Sequence, residues 1–89
     1  MKINKLEKLL TKEVKKEYGY ADGYARIDRV IIDHDADGNL ITIIGAIGAI
    51  NADGEVLFQY KFEVFFADGK SYNYVLGMIK EHIWLTYEK

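Results

Sequence analysis

The residues with the clearest potential for chemistry are three aspartates at alternate positions, Asp33, Asp35 and Asp37, followed by Gly38. Carboxylate oxygens at alternate positions can converge on a hard cation such as Ca²⁺ when the chain curls around it. A competing explanation is an acidic hairpin tip in which Asp37 and Gly38 serve only the turn. The pattern therefore leaves a metal site and a turn as alternatives.

The same segment resembles the opening of an EF-hand calcium loop, with Gly38 at its sixth position and an apolar residue, Leu40, at its eighth. The resemblance implies calcium ligation by the three aspartates. The twelfth position, however, is Ile44, where the family has a bidentate glutamate, and no helices are predicted to flank the segment. We therefore expect no metal and no other cofactor, with calcium as the weaker alternative.

A second set of residues with chemical potential is Arg26, Asp28 and Tyr60. If the first strand is regular, Arg26 and Asp28 point to the core side, beside the small residues Ala46 and Gly48. Such a group would line a polar pocket for a small acid or for proton transfer, because neighbours tune a buried carboxylate. We favour the alternative, a bulge near Asp28 that turns both charges outward, because burying a charge is costly.

Other catalytic patterns are missing from the sequence. Ser71 is the only serine and lies next to a turn, while His34 and His82 are far apart. The glycines of segment 45–48 lie within a strand pattern and do not open a helix, so they predict no phosphate-binding loop. We expect no catalytic residues and no enzymatic activity.

Composition indicates one globular domain over residues 1–89, with 49% apolar residues and a net charge of −2. There is no cysteine, which favours a reducing compartment, and no apolar run approaches a membrane span. The charged N-terminal segment is not typical of a signal peptide, so we expect a cytoplasmic protein.

Charge is distributed unevenly along the chain. Residues 1–17 hold six lysines and three glutamates, whereas the remainder is acidic. The lysines form one arc of the first helix without an arginine or an aromatic stacking partner. Such an arc is typically solvated, so binding to nucleic acid or to a membrane is not expected.

An amphipathic helix is predicted at about residues 4–18. Its apolar stripe recurs at helical spacing and comprises Ile3, Leu6, Leu10 and Val14. Asn4 and Glu7 have the spacing of a capping box, and Gly19 is suited to the left-handed residue that follows a helix. The helix should pack by its stripe and expose its lysines.

The triplet Ala-Asp-Gly occurs four times, with its aspartates at Asp22, Asp37, Asp53 and Asp68. A type I turn followed by a glycine in the left-handed region joins two antiparallel strands, so the last three copies predict hairpins. The predicted strands cover about residues 24–34, 40–50, 55–66 and 70–79, the last possibly continuing to 87. Helical spacing beyond Gly77 is a competing pattern.

These elements predict an α+β fold in which the N-terminal helix packs on a curled four-stranded antiparallel meander (α-β-β-β-β). This architecture is similar to cystatin-like and NTF2-like cone folds, a resemblance that implies no function. The hairpin register pairs Asp35 with Asn39, Asn51 with Glu55 and Phe66 with Lys70. It places Val30, Ile44 and Phe62 together on the core face.

The same register predicts an aliphatic outer face that the helix cannot cover. Its members are Ile27, Ile31, Ile41, Ile43, Ile47, Leu57 and Ile79. Large exposed apolar patches mark interfaces, so we expect homodimerisation or binding to a partner protein through this face. The alternative is cover by the C-terminal residues Ile83, Trp84 and Leu85.

The leading functional hypothesis is a non-enzymatic protein-binding module that self-associates through the outer sheet face. Small inhibitors and immunity or anti-defence proteins of phage and mobile elements share this size and lack of motifs, and the repeated turn is also compatible with a designed sequence. The alternatives are a small-ligand-binding or enzymatic cone domain that uses Arg26, Asp28 and Tyr60, and a calcium-binding hairpin at Asp33, Asp35 and Asp37.

Overall fold

A computed structural model of the chain describes residues 1–19, 22–35 and 38–88, except for the side chain of Asp35. The elements, in chain order, are α1 (Ile3–Tyr18), β1 (Gly23–Asp35), β2 (Gly38–Ile50), β3 (Val56–Ala67), α2 (Tyr72–Ile83) and a C-terminal π-helix (Trp84–Glu88). None of these helices combines the length and apolarity that a membrane crossing requires.

The three strands form one antiparallel sheet in the order β1-β2-β3, with β2 in the centre. Both helices lie on the same face of this sheet, α1 mainly against β1 and α2 mainly against β3. The principal-axis extents are 49 × 27 × 19 Å. The shortest of them accommodates one sheet and one layer of helices, each about 10 Å thick.

The N-terminal helix is present as α1, and its stripe residues Leu6, Leu10 and Val14 are buried in the core. It ends as expected at Gly19, whose φ of 69° is left-handed. The predicted capping box is wrong: the N-cap is Lys2, two residues before Asn4, and no side chain caps the start of the helix. Glu7 does not reach back to the helix start because its carboxylate accepts a hydrogen bond from strand β1.

Side chains from the helical layer cap both edges of the sheet. On β1, the Ile27 N–H donates to Glu7 Oε2 at 2.8 Å and the Ala25 N–H donates to Thr11 Oγ1 at 3.2 Å. On β3, the Tyr87 hydroxyl accepts from the Lys61 N–H and donates to the Lys61 carbonyl, both at 3.1 Å. These bonds satisfy edge groups that would otherwise be open to strand addition.

The α+β class and the antiparallel sheet are confirmed, but the four-stranded meander is wrong. The predicted fourth strand is the helix α2, which ends the similarity to the cone folds. Ser71 favours a helix over a strand in this segment, because its hydroxyl accepts a hydrogen bond from the Tyr74 N–H at 3.1 Å and caps the start of α2. Val75, Leu76, Ile79 and Ile83 then fall on one buried helical stripe.

The predicted register of β2 is also wrong by one residue on both sides. Asp35 pairs with Gly38 instead of Asn39, which shortens the first hairpin loop. In the second hairpin the Asn51 N–H does bond to the Glu55 carbonyl at 2.9 Å, but the register then shifts because β3 bulges at Leu57. A one-residue shift exchanges the two faces of a strand.

The expected exposure of the outer aliphatic residues is therefore incorrect at four of the seven positions. Ile41, Ile43 and Ile47 of β2 and Ile79 of α2 are core residues, with relative exposures of 8%, 0%, 3% and 0%. Ile27 is partly buried against this core, and Ile31 is partly buried as well. Leu57 is exposed, at 46%.

Strand β1 carries the bulge that we favoured over a regular strand. Its register with β2 shifts between Ile27 and Arg29, which leaves Asp28 as the additional residue. Opposite the bulge, a Cβ atom at Gly45 would lie 2.2 Å from the Arg26 carbonyl oxygen and 2.8 Å from the Phe62 ring. The close approach of β1 to β2 thus requires a glycine at this position.

Two glycine-to-alanine substitutions should shift stability in opposite directions. Gly45→Ala should destabilise the fold by about 1–3 kcal/mol, because the β1 backbone cannot give way to the new methyl group. Gly77→Ala lies in α2, where no described atom beyond the chain neighbours and the helix's own backbone comes within 4 Å of the added atom. It should stabilise the fold by about 0.5–1 kcal/mol through helix propensity. Denaturant unfolding measures both, and equal stabilities would contradict the packing at Gly45.

Candidate functional site

A groove of about 280 Å³ lies between α1 and α2. It exists because each helix packs chiefly against the sheet and makes few contacts with the other helix. Its floor consists of buried apolar side chains, namely Leu10, Val14, Ile47, Ile79 and Ile83. Its walls are polar or aromatic and comprise Glu13, Glu17, Tyr18, Lys80, Glu81, Trp84 and Glu88.

The groove is strongly acidic for its size. Among the residues that the structure describes, four glutamates and one lysine, Lys80, line it, which gives this described lining a formal charge of −3 at neutral pH. The Lys80 ammonium extends from α2 toward α1, where its Nζ lies 3.5 Å from Glu13 Oε2 and 3.7 Å from Glu17 Oε2. All three side chains retain a third or more of their exposure, so these ion pairs are weak.

Tyr18 closes one end of the groove. Its hydroxyl donates a hydrogen bond to Glu88 Oε1, which joins the end of α1 to the π-helix. Burial of the phenol raises the pKa of Tyr18 above its ordinary value, and the hydrogen bond and the negative charge of Glu88 raise it further. The phenol therefore stays neutral and keeps donating to Glu88 throughout the physiological pH range.

An aromatic cluster continues from Tyr18 across the end of the sheet. The ring centroid of Phe58 lies 4.8 Å from that of Tyr18 and 5.0 Å from that of Tyr60. Tyr60 in turn stacks on Tyr87 at 4.6 Å with an interplanar angle of 16°. The cluster fixes the π-helix against β3, which holds Trp84 and Glu88 at the groove.

The structure does not bring together the predicted pocket residues Arg26, Asp28 and Tyr60. Because of the bulge, Arg26 and Asp28 face solvent, and Arg26 Nε donates to Asp28 Oδ1 at 2.6 Å. Tyr60 is on the helix-covered side, in register with Ile47 and packed in the aromatic cluster. These three side chains line no common cavity.

Of the three aspartates in the calcium hypothesis, the structure describes the side chain of Asp33. Asp33 is an exposed residue of β1, while Asp37 and the side chain of Asp35 lie outside the described residues. Over residues 1–19, 22–35 and 38–88, no three histidine, cysteine or acidic side chains are grouped as metal ligands.

No helix or strand of the described residues covers the face of the sheet opposite the helices, and we call it the open face. Its rows follow from the strand pairing, because paired residues share a face. One row contains Ile31, Thr42 and Phe65, and the next contains Arg29, Ile44 and Glu63. Of the residues predicted for the outer face, Ile31 is the one that this pairing places here.

Sequence reasoning missed the groove residues Glu13, Glu17 and Trp84. The two glutamates are spaced i, i+4 beside the buried stripe of α1, which was a usable signal. The sequence offers no second helix to form a groove with these glutamates, because it predicts a strand over residues 70–79.

Comparison of the chain with protein-family models, with curated proteins and with solved structures gave no match.

The raised pKa of the partly buried Tyr18 phenol predicts a specific loss of stability at alkaline pH. Because the folded-state pKa of Tyr18 is raised, its contribution is intact below the ordinary tyrosine pKa of about 10 and is lost as pH rises above it. Tyr18→Phe should be less stable than wild type at pH 8 and should lose less stability between pH 8 and 11.

Urea unfolding at each pH measures this difference. Tyr74→Phe is the matched control, because its ring is 48% exposed and should leave the alkaline loss as in wild type. Parallel losses in wild type and Tyr18→Phe would contradict the role assigned to the phenol.

Proposed function

We propose that this chain is a non-enzymatic protein-binding module whose groove takes a basic side chain from an apolar segment of a partner protein. The observation that supports this function is the combination, in one concave site, of a buried apolar floor and an excess of carboxylates. Pockets for drug-sized ligands are typically about 300–1,000 Å³. A groove of about 280 Å³ suits one or two side chains better than a cofactor.

The floor favours a ligand with an aliphatic part. Leu10, Ile47 and Ile79 are almost fully shielded by their neighbours, yet they form the bottom of an open groove. The methylene stem of a lysine or arginine would lie above this floor, against the more exposed apolar surface of Tyr18 and Trp84, while its charged end stays near the rim. An apolar neighbour in the partner segment would fill the remaining space, adding roughly 25 cal/mol per Å² of apolar area removed from water.

The rim favours a cation over an anion, and arginine over lysine. Lys80 Nζ is 3.5 Å from Glu13 and 3.7 Å from Glu17. Both distances exceed the roughly 2.7–2.9 Å of a strong charge-assisted bond. An incoming guanidinium can bond to two carboxylates at once, whereas Lys80 meets them as a point charge. Displacing Lys80 into solvent should therefore cost little.

Trp84 supplies an aromatic surface at the mouth of the groove. Its side chain lines the site and is 52% exposed. The face of an indole attracts cations, particularly guanidinium groups, by about 0.5–1 kcal/mol at exposed sites. Tryptophan and arginine are also the residue types most often found to dominate binding energy at interfaces.

Binding can be measured through Trp84, because it is the only tryptophan in the chain. The probe is a short tryptophan-free peptide in which leucines alternate with arginines, and the control peptide carries glutamates instead. The arginine peptide should change Trp84 emission saturably, and raising the salt from about 0.05 M to about 0.5 M should weaken its binding. Equal affinity for both peptides would refute the proposed charge preference.

Removing two carboxylates should weaken the arginine peptide specifically. Glu13→Gln combined with Glu17→Gln should raise its Kd about tenfold, or about 1.4 kcal/mol. The control pair is Asp53→Asn with Glu55→Gln, in the exposed β2–β3 loop, which does not line the groove. It removes the same charge from the chain and should leave Kd within about twofold of wild type. Similar losses in the two pairs would mean that net charge, rather than the groove, attracts the peptide.

A further inference from the structure

We infer that the open face binds a second copy of this chain, with a two-fold axis that runs along β2 in the plane between the two sheets. Both helices lie on the other side of the sheet, and within the described residues no element covers the open face. The C-terminal segment does not fold over it, because Ile83 is buried in the helix-side core.

The apolar part of the face lies around Thr42. Phe65 and Leu40 are 54% and 39% exposed, and Ile31 and Ile44 are partly buried. Thr42 itself is only 5% exposed, although it is on the uncovered side. Its larger neighbours on β1 and β3, Ile31 and Phe65, shield it. The result is a row of apolar side chains across the face, in which Thr42 is recessed in the middle and the Phe65 ring is the most exposed.

The charges in the row next to these apolar side chains complement each other across the proposed axis. Arg29 and Glu63 share a row with Ile44 but lie on opposite edge strands, two strand spacings or roughly 10 Å apart. Neither forms an ion pair among the described residues. The axis exchanges β1 with β3, so Arg29 of each copy meets Glu63 of the other, and Ile31 meets Phe65.

This arrangement agrees with the way in which sheets pack. A two-fold axis close to the strand direction keeps the two sets of strands aligned to within the roughly 30° at which aligned sheets pack. The two contact surfaces are then identical, as a closed dimer requires. The axis also brings Arg26 toward Lys61 of the second copy, but Arg26 is already neutralised by Asp28 at 2.6 Å.

The available area predicts a weak dimer. Three strands with about eleven paired residues each offer roughly 500 Å² per copy, compared with about 800 Å² in a standard stable interface. We therefore expect dissociation in the micromolar range, on the order of 10–300 μM. Both grooves would face outward on opposite sides of the dimer, so one dimer would bind two partner segments and gain avidity on a multivalent target.

The decisive experiment is a charge exchange followed by sedimentation equilibrium from about 5 to 500 μM, the range that the expected dissociation constant requires. Arg29→Glu and Glu63→Arg should each raise the dimer dissociation constant at least about tenfold, because each places like charges face to face. The double variant should restore it to within about threefold of wild type. A wild-type chain that stays monomeric at the highest concentration overturns the proposal, and so does a double variant that stays dissociated.

A matched pair of lysine substitutions at exposed apolar residues tests the face independently of the Arg29–Glu63 pairing. Phe65→Lys should abolish the dimer, whereas Ile32→Lys should retain it. Ile32 is 52% exposed, close to the 54% of Phe65, but it is in register with Ile41 on the helix side. Circular dichroism verifies that each variant is folded. Equal effects of the two substitutions would overturn the assignment of the face.

The result is separable from the test of the groove. The paired substitutions at Glu13 and Glu17 should leave the dimer dissociation constant unchanged, since both residues are on the helical layer. Monomeric Phe65→Lys should bind the arginine peptide with wild-type affinity per chain. If Glu13→Gln with Glu17→Gln abolished the dimer, the association would run through the groove and the open-face proposal would be refuted.

Discussion

Side chains alternate between the two faces of a strand, so the register of β2 decides which half of its residues the helices cover. In this protein β2 presents Ile41, Ile43 and Ile47 to the helical layer. β1 has a bulge at Asp28 and β3 has a bulge at Leu57. Each bulge reverses the alternation of side chains along its strand, so that the apolar residues before and after it lie on the same side of the sheet. The buried stripes of α1 and α2 can pack on the sheet only because all three strands present their apolar residues on the same face.

A three-stranded sheet with two helices on the same side has a covered face and an open one. The helices also reach the two edges, where Glu7 and Thr11 cap β1 and Tyr87 caps β3. Edge pairing is thereby hindered at these points, and the open face is the larger surface left for association. The groove and the open face are on opposite sides of the sheet, so a partner segment and a second copy would not compete.

The groove owes its shape to the sheet, because α1 and α2 are both held by β-strands and not by each other. Closing it would require the carboxylates of α1 to approach Glu81 and Glu88, which like-charge repulsion opposes. Lys80 offsets part of this repulsion through two long ion pairs. An open acidic groove above an apolar floor is the consequence, and it has the chemistry to accept a basic side chain.

The sequence by itself determined the stripe of α1, its end at Gly19, the first two of the three predicted antiparallel hairpins and the bulge near Asp28. Each of these depends on neighbours in the chain, through helical periodicity, a left-handed glycine or the cost of burying a charge. Only the tertiary structure decided the register of β2, the helical state of the segment after Ser71, and hence which surfaces stay open. Those outcomes depend on one-residue shifts and on packing against distant residues such as Ile47 and Ile79, which local patterns do not specify.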